Sequence, residues 1–141
     1  MTQQQMGRTL GEAIEEETGK IVSRRVLDAQ TMKLEHNFTA MGRMKGVEGT
    51  DTGTYVSHAL PDGSLYGEGQ GIFMSKDGEA VAWKGQGLGV LTAPGKVRFR
   101  GSLFFSTQSR GKLASMNNIV GVFEHEGDME GNISSKVWEW K

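Results

Sequence analysis

Histidine, lysine and glutamine side chains on otherwise apolar strand faces are the main candidates for chemistry in this sequence. The three histidines, His36, His58 and His125, each share an alternating parity with apolar residues. Three imidazoles converging inside a β-barrel could bind Zn, Fe or Mn and leave one position open for substrate. A histidine hydrogen-bonded near a strand end is the commoner arrangement, and no His-x-His pair is present. We therefore expect no metal, and keep a His-ligated metal barrel as a third alternative.

Lys84 and Gln86 form the second candidate group, because they fall on the parity that we assign to the barrel interior. An unpaired buried lysine is costly, and burial favours the uncharged amine that base or Schiff-base chemistry needs. Alternatively the lysine reaches water at the barrel mouth, or a bulge inverts the parity of this strand. Together with the three histidines, these two residues are the predicted ligand-binding residues, and the catalytic residues remain unknown.

The segment from Tyr66 to Thr107 indicates which elements must position these side chains. Asp77-Gly78 and Pro94-Gly95 interrupt alternating runs, which is the pattern of tight β-hairpins. This predicts consecutive antiparallel strands over 64–75, 79–91 and 96–107. If both turns are two-residue loops, the inner face of the middle strand carries Ala82, Lys84, Gln86, Leu88 and Val90.

The rest of the chain shows the same regular spacing of strands and turns. Residues 11–28 predict a hairpin with a break at Thr18-Gly19, although GEAIEEE also suits one or two helical turns. Further strands are expected over 33–44, 52–60, 119–126 and 133–141, with SRGKLASMNN as a loop or short helical turn. The sequence therefore predicts an all-β protein, a single antiparallel meander of eight or nine strands that closes into a small barrel.

Composition limits the class of protein. A chain of 141 residues suits one domain over 1–141, with residues 1–8 as a candidate disordered tail. Sixteen basic and seventeen acidic residues give a net charge of −1 without a basic stripe, so we expect neither nucleic acid nor a membrane as a partner. No cysteine and no signal-peptide pattern are present, which favours a cytoplasmic location.

Trp138 and Trp140 share a parity in the last predicted strand. Facing outward, they would form an exposed aromatic stripe typical of a subunit interface; facing inward, they would belong to the core. With little net charge to keep copies apart, we expect a homo-oligomer.

Three glycine-rich segments resemble a known barrel type. YGEGQG (66–71), WKGQGLG (83–89) and GKVRFRG (95–101) are similar in order to the glycine signatures of the allene oxide cyclase and dirigent type of β-barrel, most closely to small uncharacterised bacterial proteins with that barrel. The resemblance implies the barrel fold and, by analogy with allene oxide cyclases, an apolar cavity that works without a cofactor. No catalytic residue of that family can be matched to this sequence.

The resulting hypothesis is a cofactor-free barrel with a mostly apolar cavity that binds an apolar small molecule and acts as a cyclase or isomerase. The alternative is a non-catalytic oligomeric structural or interaction module whose interior is filled by side chains. Cavity volume distinguishes the two, since sites for drug-sized ligands measure on the order of several hundred Å³.

Overall fold

The computed structural model describes residues 10–141, which form a closed barrel of eight antiparallel strands in the order β1 to β8. The strands are β1 (Leu10–Asp28), β2 (Lys33–Met44), β3 (Val47–Ala59), β4 (Leu65–Ser75), β5 (Ala80–Ala93), β6 (Lys96–Ser106), β7 (Val120–Asp128) and β8 (Asn132–Trp140). Every strand pairs with its neighbours in sequence, and β1 also pairs with β8 to close the barrel. The predicted all-β meander is thus confirmed, and the expected tail over 1–8 lies outside the described residues.

A short 3-10 helix, Ala114–Met116, is the one helix among the described residues and confirms the predicted helical turn. It lies in the connection between β6 and β7, and the side chains of Leu113 and Met116 are fully buried there. The Glu79 carboxylate fixes this segment, because it accepts hydrogen bonds from the Ser109 hydroxyl and, at 3.1 Å, from the Leu113 amide. No helix in residues 10–141 has the length and apolarity to cross a membrane.

The hairpin expected over residues 11–28 is wrong, because these residues lie in one long strand, β1. Thr18 and Gly19 pair with β2 on one side and with β8 on the other, so no turn forms between them. Because the barrel is closed, β1 must pair with a strand on each side along this stretch. The acidic GEAIEEE segment is part of this closing strand.

The predicted inner face of β5 is also wrong. Residues Lys76, Asp77 and Gly78 form a three-residue loop with Gly78 at a φ of 87°, and Phe73 therefore pairs with Val81 instead of Ala82. A second irregularity between Leu91 and Ala93 restores the predicted faces in β6. The one-residue slip turns every side chain of β5 over, so Val81 and Trp83 lie inside the barrel.

Candidate functional site

A cavity of about 80 Å³ lies inside the barrel. Its apolar wall consists mainly of aromatic rings and large aliphatic side chains: Phe38, Tyr55, Trp83, Phe99, Leu103, Phe123 and Val137. The polar residues that line it are Glu15, Glu17, Asp51, His125 and Ser135, together with the exposed Glu68 and Gln86. An apolar space with a few convergent polar groups is the usual composition of a small-molecule site.

Three carboxyl groups meet on this wall. Glu15 and Glu17 come from β1 and Asp51 from β3, and oxygens of all three lie within 4.8 Å of one another. The pairing of β1 with β8 passes from Ala13 directly to Glu15, so a bulge at this point lets both Ile14 and Glu15 be buried. Alternation then brings Glu17 inward as well. The three side chains are buried, and none takes part in a salt bridge among the described residues.

Trp83 holds the Asp51 member of this cluster. The indole Nε1–H donates a hydrogen bond of 2.8 Å to Oδ1 of Asp51, and both groups are buried. The ring fits between strands because Gly71 stands beside it; a Cβ at Gly71 would lie 2.4 Å from Cζ2 of Trp83. The Phe38 ring stacks near the indole at a centroid distance of 6.2 Å. Gly71 on β4 thus makes room for the large residue that orients the carboxylate.

Burial and mutual repulsion keep protons on this cluster. Burial raises the pKa of Glu17 to about 11, with the Glu15 and Asp51 charges adding to the shift. Burial likewise raises the pKa of Glu15 well above its ordinary value, with Asp51 contributing. Burial also raises the pKa of Asp51, but hydrogen bonds from Glu17 and Trp83 act in the opposite direction. Asp51 is therefore the member best placed to be ionised, whereas burial favours the neutral acid form of the two glutamates.

His36 is fixed by its neighbours. The Arg24 Nε–H donates to Nδ1 of His36 at 3.2 Å, so the ring proton is on Nε2, which lies 2.9 Å from the Ser57 hydroxyl oxygen. This tautomer makes Ser57 the acceptor, so His36 does not serve as a base for that hydroxyl. Burial, and then the Arg24 charge, lower the pKa of His36 to about 4. The imidazole also stacks on Tyr55, whose pKa burial raises to about 12.

His125 lies near the same tyrosine. Its Nδ1 is 2.6 Å from the Ser135 hydroxyl oxygen, and its ring meets the Tyr55 ring edge-on at a centroid distance of 5.7 Å. The Nε2 atom is buried and has no hydrogen-bond partner. Burial, and then repulsion from His36, lower the pKa of His125 to about 4. The imidazole is therefore neutral at pH 7 and has one ring nitrogen free to contact a ligand.

The structure brings together only part of the predicted set of site residues. His36 and His125 lie inside the barrel, as expected. His58 belongs to the outer face of β3, where its ring lies 5.6 Å from that of Tyr66, so a site formed by all three histidines is ruled out. The apolar parity of Val56 and His58 predicts the wrong face, since Asp51, Tyr55 and Ser57 carry the inner face of β3.

Lys84 and Gln86 lie on the outside of β5, contrary to the sequence prediction, because of the three-residue loop described above. Gln86 borders the cavity, but its amide oxygen accepts a hydrogen bond of 2.9 Å from the Tyr66 hydroxyl on the outer surface. Sequence reasoning missed the carboxyl cluster and Trp83. The available signal was the alternation of Glu15 and Glu17, which equally suits a solvated strand face.

Solved structures share the fold over nearly their whole length. A conserved protein of unknown function from Rhodopseudomonas palustris matches with a TM-score of 0.75 and 15% identity, covering 93% of this chain and 97% of that chain. A beta-barrel like protein from Acinetobacter baumannii matches with a TM-score of 0.75 and 12% identity, covering 94% and 95%. An enzyme from Penicillium herquei matches with a TM-score of 0.59 and 16% identity, covering 91% and 92%.

These likenesses show the fold alone, because the identities are low. They support the predicted barrel type and its occurrence in uncharacterised bacterial proteins. The narrower resemblance to allene oxide cyclases stays a prediction, since none of the three structures carries that description. No protein-family model and no curated protein matches the sequence.

Proposed function

We propose that this barrel binds a small, largely apolar molecule in its interior cavity and needs no cofactor to do so. One observation carries the proposal: Oε2 of Glu15, Oε2 of Glu17 and Nε2 of His125 are buried polar atoms without hydrogen-bond partners, and all three residues line the same apolar cavity. Each such atom costs about 1–3 kcal/mol when it is removed from water and left unpaired. A ligand with polar groups at matching positions recovers that free energy.

The cavity size limits the ligand. A volume of about 80 Å³ is roughly half that of the 150 Å³ engineered cavity known to hold benzene. The site therefore suits a compound of a few carbon atoms, or one end of a longer molecule. This volume falls short of drug-sized sites, so the packed-barrel alternative is the outcome that the experiment below must exclude.

The polar groups also suit acid–base chemistry, which supports an isomerase or cyclase as the finer function. A neutral glutamic acid can donate a proton or hydrogen bond to a carbonyl oxygen, while a neutral imidazole or the Asp51 carboxylate can accept a proton from carbon. Pairs of titratable groups whose pKa values are displaced in opposite directions are typical of such sites. The Penicillium herquei protein that shares the fold is described as an enzyme, which is compatible with catalysis on this kind of barrel.

A fragment screen by saturation-transfer NMR tests the proposal. We expect small apolar fragments with one polar group to receive saturation from the wild-type protein. Val137→Phe, which places a ring at the cavity wall, should abolish that signal, whereas Val122→Phe on the other parity of the sheet, in β7, should leave it unchanged. If no fragment gives a signal that depends on Val137, the interior binds no ligand and the protein is a packed interaction module.

A further inference from the structure

The carboxyl cluster lacks a cationic partner in the barrel. No lysine or arginine is among the residues that line the cavity, and no salt bridge of the described residues includes Glu15, Glu17 or Asp51. Buried acids usually occur with a positive charge beside them, because an isolated buried carboxylate is very costly. Here the three carboxyl groups line a cavity, so a ligand in that cavity can supply the positive charge.

Aromatic rings cover the same cavity. Trp83 donates to Asp51 through its indole nitrogen and lines the cavity, and Phe38 and Tyr55 extend the aromatic wall, with ring centroids 6.3 Å apart. The negative faces of aromatic rings attract ammonium groups, most strongly when water is excluded. Carboxyl groups beside an aromatic wall are the chemical surroundings that bind organic cations.

His125 provides an independent indication of a ligand. Its side chain is nine-tenths buried, it lines the cavity, and Nε2 has no partner. When Nδ1 carries the proton and donates to Ser135, Nε2 is a hydrogen-bond acceptor. An N–H group of a ligand could donate to it. This atom is outside the acidic cluster, so the need for a polar ligand does not rest on the carboxyl groups alone.

We propose that the ligand is a small aliphatic amine, whose ammonium group lies against Glu15, Glu17 and Asp51 and whose carbon atoms contact the aromatic wall. This inference rests on the proposed function, because it names the ligand class of that same cavity. The ammonium group supplies the positive charge and the N–H donors that the cluster lacks. The alkyl part displaces water from the apolar wall.

Proton balance gives the proposal a second measurable consequence. A cluster that holds protons when empty must release them as the ammonium binds, because the bound cation favours the ionised carboxylates. Binding of the amine is therefore coupled to proton release into the buffer. A neutral alcohol of the same shape creates no such coupling.

A divalent metal ion is the competing occupant of three carboxyl groups. Hard cations such as Ca²⁺ take about six to eight oxygen ligands, and Mg²⁺ keeps several waters. One Asp51 oxygen is already engaged by Trp83, and the remaining wall is mostly aromatic and aliphatic. The surroundings thus favour an organic cation, and Mn²⁺ and Ca²⁺ serve as probes in the test.

The experiment is calorimetric titration of the full-length protein with n-butylamine and with 1-butanol, in two buffers of different ionisation enthalpy at pH 7.5. We expect butylamine to bind at least tenfold more tightly than butanol and to release protons. Glu17→Gln should remove most of this preference, and it should fold because the glutamate it replaces is already neutral. Glu16→Gln, an exposed neighbour on the same strand, is the matched control and should bind like the wild type.

The outcomes separate the two proposals. If butanol binds as tightly as the amine, or if the preference survives in Glu17→Gln, the inference of an amine ligand is wrong while the small-molecule site stands. If Mn²⁺ or Ca²⁺ binds and prevents butylamine binding, the cluster is a metal site and the inference is also wrong. If neither organic probe binds, the inference of an amine ligand is wrong, and the fragment screen described above decides the proposed function separately.

Discussion

Trp83 and Asp51 form a buried hydrogen bond between β5 and β3, two strands that are not neighbours in the sheet. The bond of 2.8 Å passes across the inner face of β4, where Gly71 leaves space for the indole ring. It joins the aromatic wall of the cavity to its acidic cluster. The indole thereby sets the position of the carboxylate best placed to be charged.

Trp83→Phe should destabilise the barrel and raise the pKa of Asp51 further. The phenyl ring cannot donate, so the buried carboxyl group loses a hydrogen bond worth about 1–3 kcal/mol. Denaturant unfolding monitored by circular dichroism measures the effect. Trp138→Phe is the control, because Trp138 lies on the outward parity of β8 and is only partly buried. Equal losses for the two variants would contradict a special role for the Trp83 bond.

Glu17→Gln should change how stability depends on pH. Burial raises the pKa of Glu17 from an ordinary value of 4.5 to about 11 in the folded protein. The stability that this group contributes is therefore complete below about pH 4.5 and is lost as pH rises toward 11. Glutamine does not titrate, so the stability of the variant relative to the wild type should increase as pH rises, by up to about 1.4 kcal/mol for each pH unit.

Urea unfolding between pH 6 and pH 9 measures this difference for Glu17→Gln and for the control Glu16→Gln. Glu16 is exposed and makes a surface ion pair with Lys136, so its variant should follow the wild-type curve. A Glu17→Gln curve parallel to the wild type would mean that Glu17 is ionised in the folded state.

Arg24→Leu should raise the pKa of His36 above its value of about 4. Burial is the larger cause of that low value, so the pKa of His36 should stay below the ordinary 6.5 after the Arg24 charge is removed. A histidine with a lowered pKa contributes stability that is present above about pH 6.5 and is lost as pH falls toward 4. The variant should therefore lose less folding stability than the wild type over this pH range. NMR titration of the imidazole protons measures the pKa directly. Arg25→Leu, on the exposed pair with Glu35, should leave it unchanged.

The fold was predictable from local turn and strand patterns, but the site was not. Asp77-Gly78 and Pro94-Gly95 correctly located two turns, because such dipeptides have specific backbone requirements. The length of the Asp77-Gly78 loop is not encoded so clearly, and one residue of error placed Lys84 inside and Trp83 outside. The inward direction of Glu15 depends on a bulge in β1, which no short motif indicates.

Gly71→Ala should destabilise the barrel and disturb the site. A Cβ at this position would lie 2.4 Å from the Trp83 ring, so the indole must move and its bond to Asp51 must weaken; overpacking of this kind costs about 1–3 kcal/mol. Gly127→Ala is the control, because its nearest atom would be an ordinary contact at 3.6 Å. Thermal unfolding and the Trp83 contribution to fluorescence measure the two effects. A stable Gly71→Ala variant with unchanged fluorescence would show that the close approach is not required.

Trp140 should contribute to an interface between copies of this chain. Its side chain is 57% exposed and faces outward beside its pairing partner Leu10, which is also exposed, at the seam where β8 closes on β1. Exposed aromatic and aliphatic groups together are typical of protein contacts, so we expect sedimentation to give a species heavier than 15.4 kDa. Trp140→Lys should shift the protein toward monomer. Phe104→Lys, which removes a ring that is 56% exposed on β6, is the control and should leave the sedimentation unchanged. If Phe104→Lys gives the monomer instead, the interface lies elsewhere on the barrel. A wild-type protein that sediments as a monomer at all concentrations would show that the Trp140 surface has no partner of its own kind.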